Sequence, residues 1–183
     1  MKRTLIQDSP AYKGKSIQVK GWVNNRRDHG KLIFIDLRDR SGILQVVFSA
    51  NVQKTAFTTA STLKNEFVVS ITGEVKPRAE SNVNPELPTG SIELVAQKID
   101  VLNEASTPVF EINKAHDTNE ELRMQYRYLD MRSEQLKTNL MMRHKIVKAI
   151  RDELDKQGFW EIETPTLLKV RQKVLGNLSY RPA

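Results

Sequence analysis

The sequence predicts a mainly β protein with added helices: a five-stranded barrel, a linker, and the start of a second, helical domain. Two observations predict it. Apolar and polar residues alternate in short segments across residues 17–102, with one helix-like segment between the third and the fourth. From residue 133 onward the apolar spacing changes to that of a helix.

The elements follow in order. Ile17, Val19, Gly21 and Val23 alternate with Gln18, Lys20 and Asn24, which makes residues 17–28 a strand with one buried face. Residues 28–31 are a turn, 32–38 a second strand, 39–42 a second turn and 43–48 a third strand. Val52, Ala56, Thr59, Ala60 and Leu63 have roughly helical spacing. Residues 67–75 read as a fourth strand, 77–90 as a loop rich in Pro, Asn and Gly, and 92–102 as a fifth strand. Three strands, a helix and two strands is the order of the five-stranded Greek-key barrel called the OB-fold. An SH3-like barrel lacks that helix.

Residues 104–118 contain Pro108 and show no period, so they read as a linker. Asn119 can cap a short helix over 120–129. A longer helix runs from an N-cap at Ser133 to about Gln157. Its stripe is Leu136, Leu140, Arg143, Val147, Ile150 and Leu154, with Gly158 as the stop. Residues 159–165 then read as a short strand ended by Pro165. The expected domains are 1–103, a linker 104–118, 119–168, and a separate tail 169–183.

Composition narrows the function classes. With 39% hydrophobic and 28% charged residues, the chain is globular in type and not disordered. The absence of cysteine excludes a disulfide framework, a thiol nucleophile and a thiolate zinc site. Three dispersed histidines give no His-based metal site. No run of apolar residues is long enough for a transmembrane helix, and the start lacks a signal-peptide core. A cytoplasmic location with no membrane partner is expected.

The net charge of +7 is unevenly spread. Residues 1–80 carry +7, residues 81–168 carry −4 and residues 169–183 carry +4. A basic front suits a phosphate-bearing partner, with solubility as the plainer use of the same charge.

The candidate binding residues lie on the first three strands, which carry Arg26, Arg27, Phe34, Arg38, Arg40 and Gln45. Phe34 points opposite to Ile33 and Ile35. If the isoleucines enter the core, Phe34 is presented outward on a basic barrel, where a nucleic-acid base can stack on it. The alternative places Phe34 inside and exposes both isoleucines. Gln45 can donate to and accept from a base edge, or be a solvated strand residue. Lys76, Arg78 and Asn82 add two cations and an amide in the loop that OB-folds use for ligands. Asp36, Arg38, Asp39 and Arg40 alternate in sign and read as an ion-pair lattice, not an acid–base site.

The run from Gly21 to Phe48, containing Arg-Arg-Asp-His-Gly-Lys and Phe-Ile-Asp-Leu-Arg-Asp, closely resembles the N-terminal anticodon-binding domain of bacterial aspartyl-tRNA synthetases. Residues 75–93, Tyr126-Arg-Tyr-Leu-Asp-Met-Arg132 and Gly158-Phe-Trp-Glu-Ile-Glu-Thr-Pro165 match the same family in order. The resemblance covers about residues 1–168. It implies that Phe34 stacks on the middle anticodon base and Gln45 reads that base's edge. It also implies that Arg27, Arg78 and Asn82 contact the other anticodon bases, with Lys76 where an Arg is common. His29 stands where, in this family, a His tends to accompany enzymes that also charge the asparagine tRNA. The expected partners are therefore tRNA(Asp) and, through His29, tRNA(Asn).

The helix ending at Gly158 and the segment to Pro165 resemble motif 1 of class II synthetases, which builds the homodimer interface. The family uses ATP and Mg2+ at motifs 2 and 3. Neither motif has a counterpart in these 183 residues. The chain is therefore expected to bind tRNA without a catalytic residue, metal or cofactor of its own. A freestanding single-strand binder, a trans-acting tRNA factor and a non-functional product are the alternatives.

The tail departs from the family pattern. After Lys169 the family has a segment close to Ser-Thr-Pro-Glu-Gly-Ala-Arg, and this chain has Val170-Arg-Gln-Lys-Val-Leu-Gly. With suitable third bases, the codons for the observed tail encode the family segment when read from one base upstream. Residues 169–183 are thus expected to be out of frame.

Overall fold

The computed structural model describes residues 2–164. Pro165 and the tail 169–183 lie outside the described residues. The chain divides into two compact units, Met1–Glu111 and Ile112–Ala183. That division falls inside the expected linker, at the start of a 3-10 segment, Ile112–Asp117.

The first unit is a closed barrel of β1 (Ser16–Asp28), β2 (Leu32–Asp39), β3 (Gly42–Ser49), β4 (Val68–Pro77) and β5 (Ile92–Asn103). Its strand order is β1-β2-β3-β5-β4, which is the OB topology expected from the sequence. β1 is long enough to pair with two neighbours. Ser16–Trp22 lie against β4 and Trp22–Asp28 against β2, with a register shift at Val23/Asn25 where the strand turns the barrel corner. Between β3 and β4 lies α1 (Lys54–Thr62), whose Ala56 and Ala60 pack into the core.

Alternation decides which side chains fill the barrel. Ile33, Ile35 and Leu37 of β2 are fully buried, as are Val19, Val23, Leu44, Val46, Ile71 and Leu94. Phe34, Asp36 and Arg38 stand on the other face of β2, half-buried.

A 3-10 segment, Ile6–Tyr12, precedes β1 and is tied to the barrel through Asp39. The buried carboxylate accepts hydrogen bonds from the Ile6 N–H at 3.1 Å, the Ser41 N–H at 2.7 Å and the Ser41 hydroxyl at 2.6 Å. Burial pushes this carboxyl up. The Ser41 and Ile6 donors and the Arg3 guanidinium outweigh burial and hold it below the ordinary carboxylate range.

Three of the four charges expected to form a lattice are ion-paired, but to other elements, while Arg40 is exposed and makes no ion pair among the described residues. Asp36 meets Arg27 at 2.9 Å, Arg38 meets Glu66 at 2.9 Å, and Asp39 meets Arg3 at 3.5 Å.

The second unit contains α2 (Glu120–Gln125), α3 (Arg127–Asp130) and α4 (Glu134–Lys156). Asn119 caps α2, its side-chain oxygen accepting from the Glu121 N–H at 2.8 Å. The single helix expected over 120–129 is two helices, because Tyr126 takes a non-helical φ of −110° and ψ of 45°. Ser133 stands at the start of α4 but makes no side-chain cap bond. α4 ends at Gly158 as the sequence indicates. The Gly158 N–H donates to the Asp155 carbonyl and the Phe159 N–H to the Leu154 carbonyl, which is a Schellman closure.

The strand expected over 159–165 is not formed: Phe159–Trp160 and residues 161–164 have no strand structure. A strand exists only through a hydrogen-bonded neighbour, and among the described residues this segment has none. α4 buries none of its residues. Its Val147, Ile150 and Leu154 line an open groove with Phe159 and Trp160.

Candidate nucleic-acid interface

The outer face of β1, β2 and β3 collects the expected binding residues by register. Arg27 of β1 lies directly opposite Phe34 of β2, and Asp36 of β2 lies opposite Gln45 of β3. Side chains at such positions share one face of the sheet. The Phe34 ring is therefore outward, with Arg27 beside it. His29, in the turn after β1, brings its ring against Phe34 edge-on, with centroids 5.4 Å apart and planes at 88°.

A chain of hydrogen bonds runs across this face. The Arg27 guanidinium donates to Asp36 at 2.9 Å and to the Gln45 side-chain oxygen at 3.4 Å. The Gln45 side-chain nitrogen donates to Glu93 of β5 at 3.3 Å. Both ends of the Gln45 amide are thus held, so its orientation is set before any ligand arrives.

Arg78 follows β4. Its Nε donates to the Ile92 carbonyl at 2.9 Å, and its guanidinium to the Asn82 carbonyl at 3.4 Å. Burial lowers its pKa, Glu93 and Asp36 pull the other way, and Arg27 adds to the lowering. Arg78 therefore shares the electrostatic environment of Arg27, Asp36 and Glu93. Asn82 sits in the 3-10 turn Glu80–Asn82, and Lys76, one residue before the end of β4, is paired with Glu74 at 3.4 Å.

Two of the cations noted on the strands serve elsewhere. Arg26 turns to α1, donating to the Ser61 carbonyl at 3.1 Å. Arg38 is committed to Asn24 and to both oxygens of Glu66. Gly158 belongs to the second unit and closes α4.

Glu93 is the residue that sequence reasoning missed. The signal was available: Glu93 lies between Ile92 and Leu94, both fully buried, so its side chain must face out.

Comparison with known proteins matches these two parts separately. Residues 17–102 match the OB-fold nucleic acid binding domain, and residues 119–175 match the class II tRNA synthetases for D, K and N. The aspartate–tRNA(Asp/Asn) ligase of Halothermothrix orenii is 51% identical over 85% of this chain, and that of Heliobacterium modesticaldum 53% over the same share. This chain belongs to the aspartyl-tRNA synthetase family. It spans about 26% of the length of those two relatives. The aspartate–tRNA ligase of Macrococcus caseolyticus is 45% identical over 90% of the chain, covering 28% of its own length.

Among solved structures, asparaginyl-tRNA synthetase from Pyrococcus horikoshii complexed with asparaginyl-adenylate superposes with a TM-score of 0.76. It is 28% identical, over 90% of this chain and 37% of that one. A putative aspartyl-tRNA synthetase from Leishmania major has a TM-score of 0.83 at 20% identity, over 92% of this chain and 36% of that one, and shares the fold.

The family uses ATP and Mg2+. No group of three or more His, Cys, Asp or Glu among them could hold a metal ion. No helix of the described residues is long and apolar enough to cross a membrane. The assembled face presents an aromatic surface, an oriented amide, and an arginine paired with a carboxylate.

Proposed function

We propose that the barrel binds the anticodon arm of tRNA(Asp), whose anticodon is GUC. The observation that carries this reading is the outward Phe34 ring, with Arg27 and the doubly held Gln45 amide on the same face. An exposed aromatic beside cations on strands two and three is how OB-folds take single-stranded nucleic acid. The middle anticodon base stacks on Phe34, and Gln45 meets its edge. Arg27, Arg78 and Asn82 face the neighbouring bases, and His29 flanks the stack. Lys76, paired with Glu74, stands beside them at the edge of the same face.

Two relatives carry tRNA(Asp/Asn) in their names. That supports a relaxed reading in which the asparagine anticodon GUU is also accepted, His29 being the residue placed to allow it. In the longer protein to which such a barrel belongs, the bound tRNA is joined to aspartate with ATP and Mg2+. α4, with its exposed Leu140, Val147, Ile150 and Leu154, supports a homodimer contact there.

The test is binding of the full chain to tRNA(Asp) over a range of salt, against the same tRNA with its anticodon exchanged. Preference for GUC supports the reading. Equal, salt-dependent binding of both tRNAs makes the barrel a nonspecific single-strand binder.

A further inference from the structure

The base-reading face carries almost no net charge of its own. Arg27 is matched by Asp36 at 2.9 Å and Lys76 by Glu74 at 3.4 Å, while Arg78 lies within the influence of Glu93. Yet residues 1–80 sum to +7. The attraction for an RNA phosphate chain must come from cations elsewhere on the barrel that lack carboxylate partners.

Lys13 and Lys15 are two such cations, and the backbone presents them together. Residues Tyr12, Lys13, Gly14 and Lys15 form a turn closed by the Lys15 N–H donating to the Tyr12 carbonyl at 2.9 Å. Lys13 has φ −51° and ψ 131°, and Gly14 has φ 75°, the geometry of a type II turn. Only glycine takes the second position without strain. Both lysines are exposed, and among the described residues neither side chain has an ion-pair or hydrogen-bond partner.

The turn is fastened beside the candidate site. Gly14 N–H donates to the Val75 carbonyl at 2.8 Å, and Val75 N–H donates to the Lys15 carbonyl at 3.0 Å. Lys76 is the next residue, and in the β4–β5 register it lies opposite Glu93, the partner of Gln45. The turn therefore adjoins the strand that leads into the Arg78 and Asn82 loop.

We infer that the Lys13–Gly14–Lys15 turn is a phosphate clamp for the RNA strand flanking the bases read by Phe34 and Gln45. This rests on the RNA-binding reading of the barrel and deepens it. The ligand is the sugar–phosphate backbone of a stem strand, without base preference. Continuity with Lys76 and Arg78 favours RNA over an anionic lipid surface.

The experiment compares the full chain with K13A/K15A and with K13R/K15R, using two probes: an anticodon stem-loop RNA and a seven-nucleotide RNA of the loop alone. For K13A/K15A on the stem-loop, affinity falls about tenfold at 0.1 M salt, and the slope of log K against log salt shrinks by about 1.4–1.8. The loop oligonucleotide binds K13A/K15A as it binds the unaltered chain, and K13R/K15R keeps the original slope. An unchanged slope on the stem-loop overturns the inference. So does an equal loss on both probes by a variant whose melting temperature is unchanged, because the turn would then act on the loop. The ratio between GUC and exchanged anticodons is read in the same titration. If that ratio is unity while the slope still shrinks, the anticodon reading fails and the clamp stands.

Discussion

Gln45 and Glu93 are joined across two strands that are far apart in the chain, the side-chain nitrogen of Gln45 lying 3.3 Å from a Glu93 oxygen. The contact depends on β3 running parallel to β5, with Val46 opposite Leu94 and Val47 opposite Val95. With Arg27 donating to the other end of the amide at 3.4 Å, the Gln45 donor and acceptor have assigned directions. A ligand edge that complements them gains from an amide that is already oriented.

Replacing Glu93 tests that orientation. In E93A the Gln45 nitrogen loses its anchor, and a bond to a charged group contributes about 1.5 kcal/mol at the low end, where this 3.3 Å contact falls. The preference for GUC over an exchanged anticodon is expected to fall about tenfold, the equivalent of that energy. Total RNA affinity is not expected to fall in parallel, because the substitution also removes a negative charge from the face. Paired titrations with the two stem-loops at one salt concentration give both quantities.

Phe34 is the stacking surface. F34A is expected to weaken stem-loop binding by about 1–3 kcal/mol. Phe34 is half-buried on the outer face while Ile33 and Ile35 fill the core, so the variant keeps its fold. Fluorescence titration alongside a thermal melt separates the two effects. Unchanged affinity in a folded F34A protein would remove the stacking role.

Asp39 makes the barrel sensitive to acid. Its carboxyl lies below the ordinary range in the folded protein, so it binds its proton less readily folded than unfolded. The stability it contributes is present above the ordinary carboxylate value, about 3.9, and is lost as pH falls below that through the folded value. D39N removes this contribution. Hydrogen bonds to a charged group contribute about 1.5–3 kcal/mol, so D39N is expected to lower neutral stability by that order. It should also flatten the stability curve at its acid end, as read by urea melts between neutral pH and the acid limit.

The barrel was legible because period-two alternation and burial are the same fact seen twice. Ile17, Val19, Gly21 and Val23 are all buried, and the outward position of Phe34 follows from that of Ile33 and Ile35. Gln45 was legible for the same reason. What alternation cannot give is which outward residues meet. Arg27 finding Asp36, and Gln45 finding Glu93, depend on strand register and on the parallel β3–β5 contact. His29 lying against Phe34 depends on the shape of a turn. In the second unit, Gly158 announced the end of α4. Residues 159–164 read as a strand from composition, but composition cannot supply the neighbouring strand.

The tail makes a prediction at the level of the gene. In genomic DNA the bases following the Lys169 codon are expected to encode, one base upstream, a segment close to Ser-Thr-Pro-Glu-Gly-Ala-Arg. Sequencing that region decides it. Codons that cannot yield those residues in the shifted frame remove the out-of-frame reading.

If the face of Phe34 and Gln45 reads an anticodon, one base must decide the affinity. The measurement is the affinity of the full chain for a GUC stem-loop against one whose middle uridine alone is replaced, both at the same salt. At least a tenfold loss, about 1.4 kcal/mol, is expected from that single base. Equal affinity for the two hairpins would contradict it.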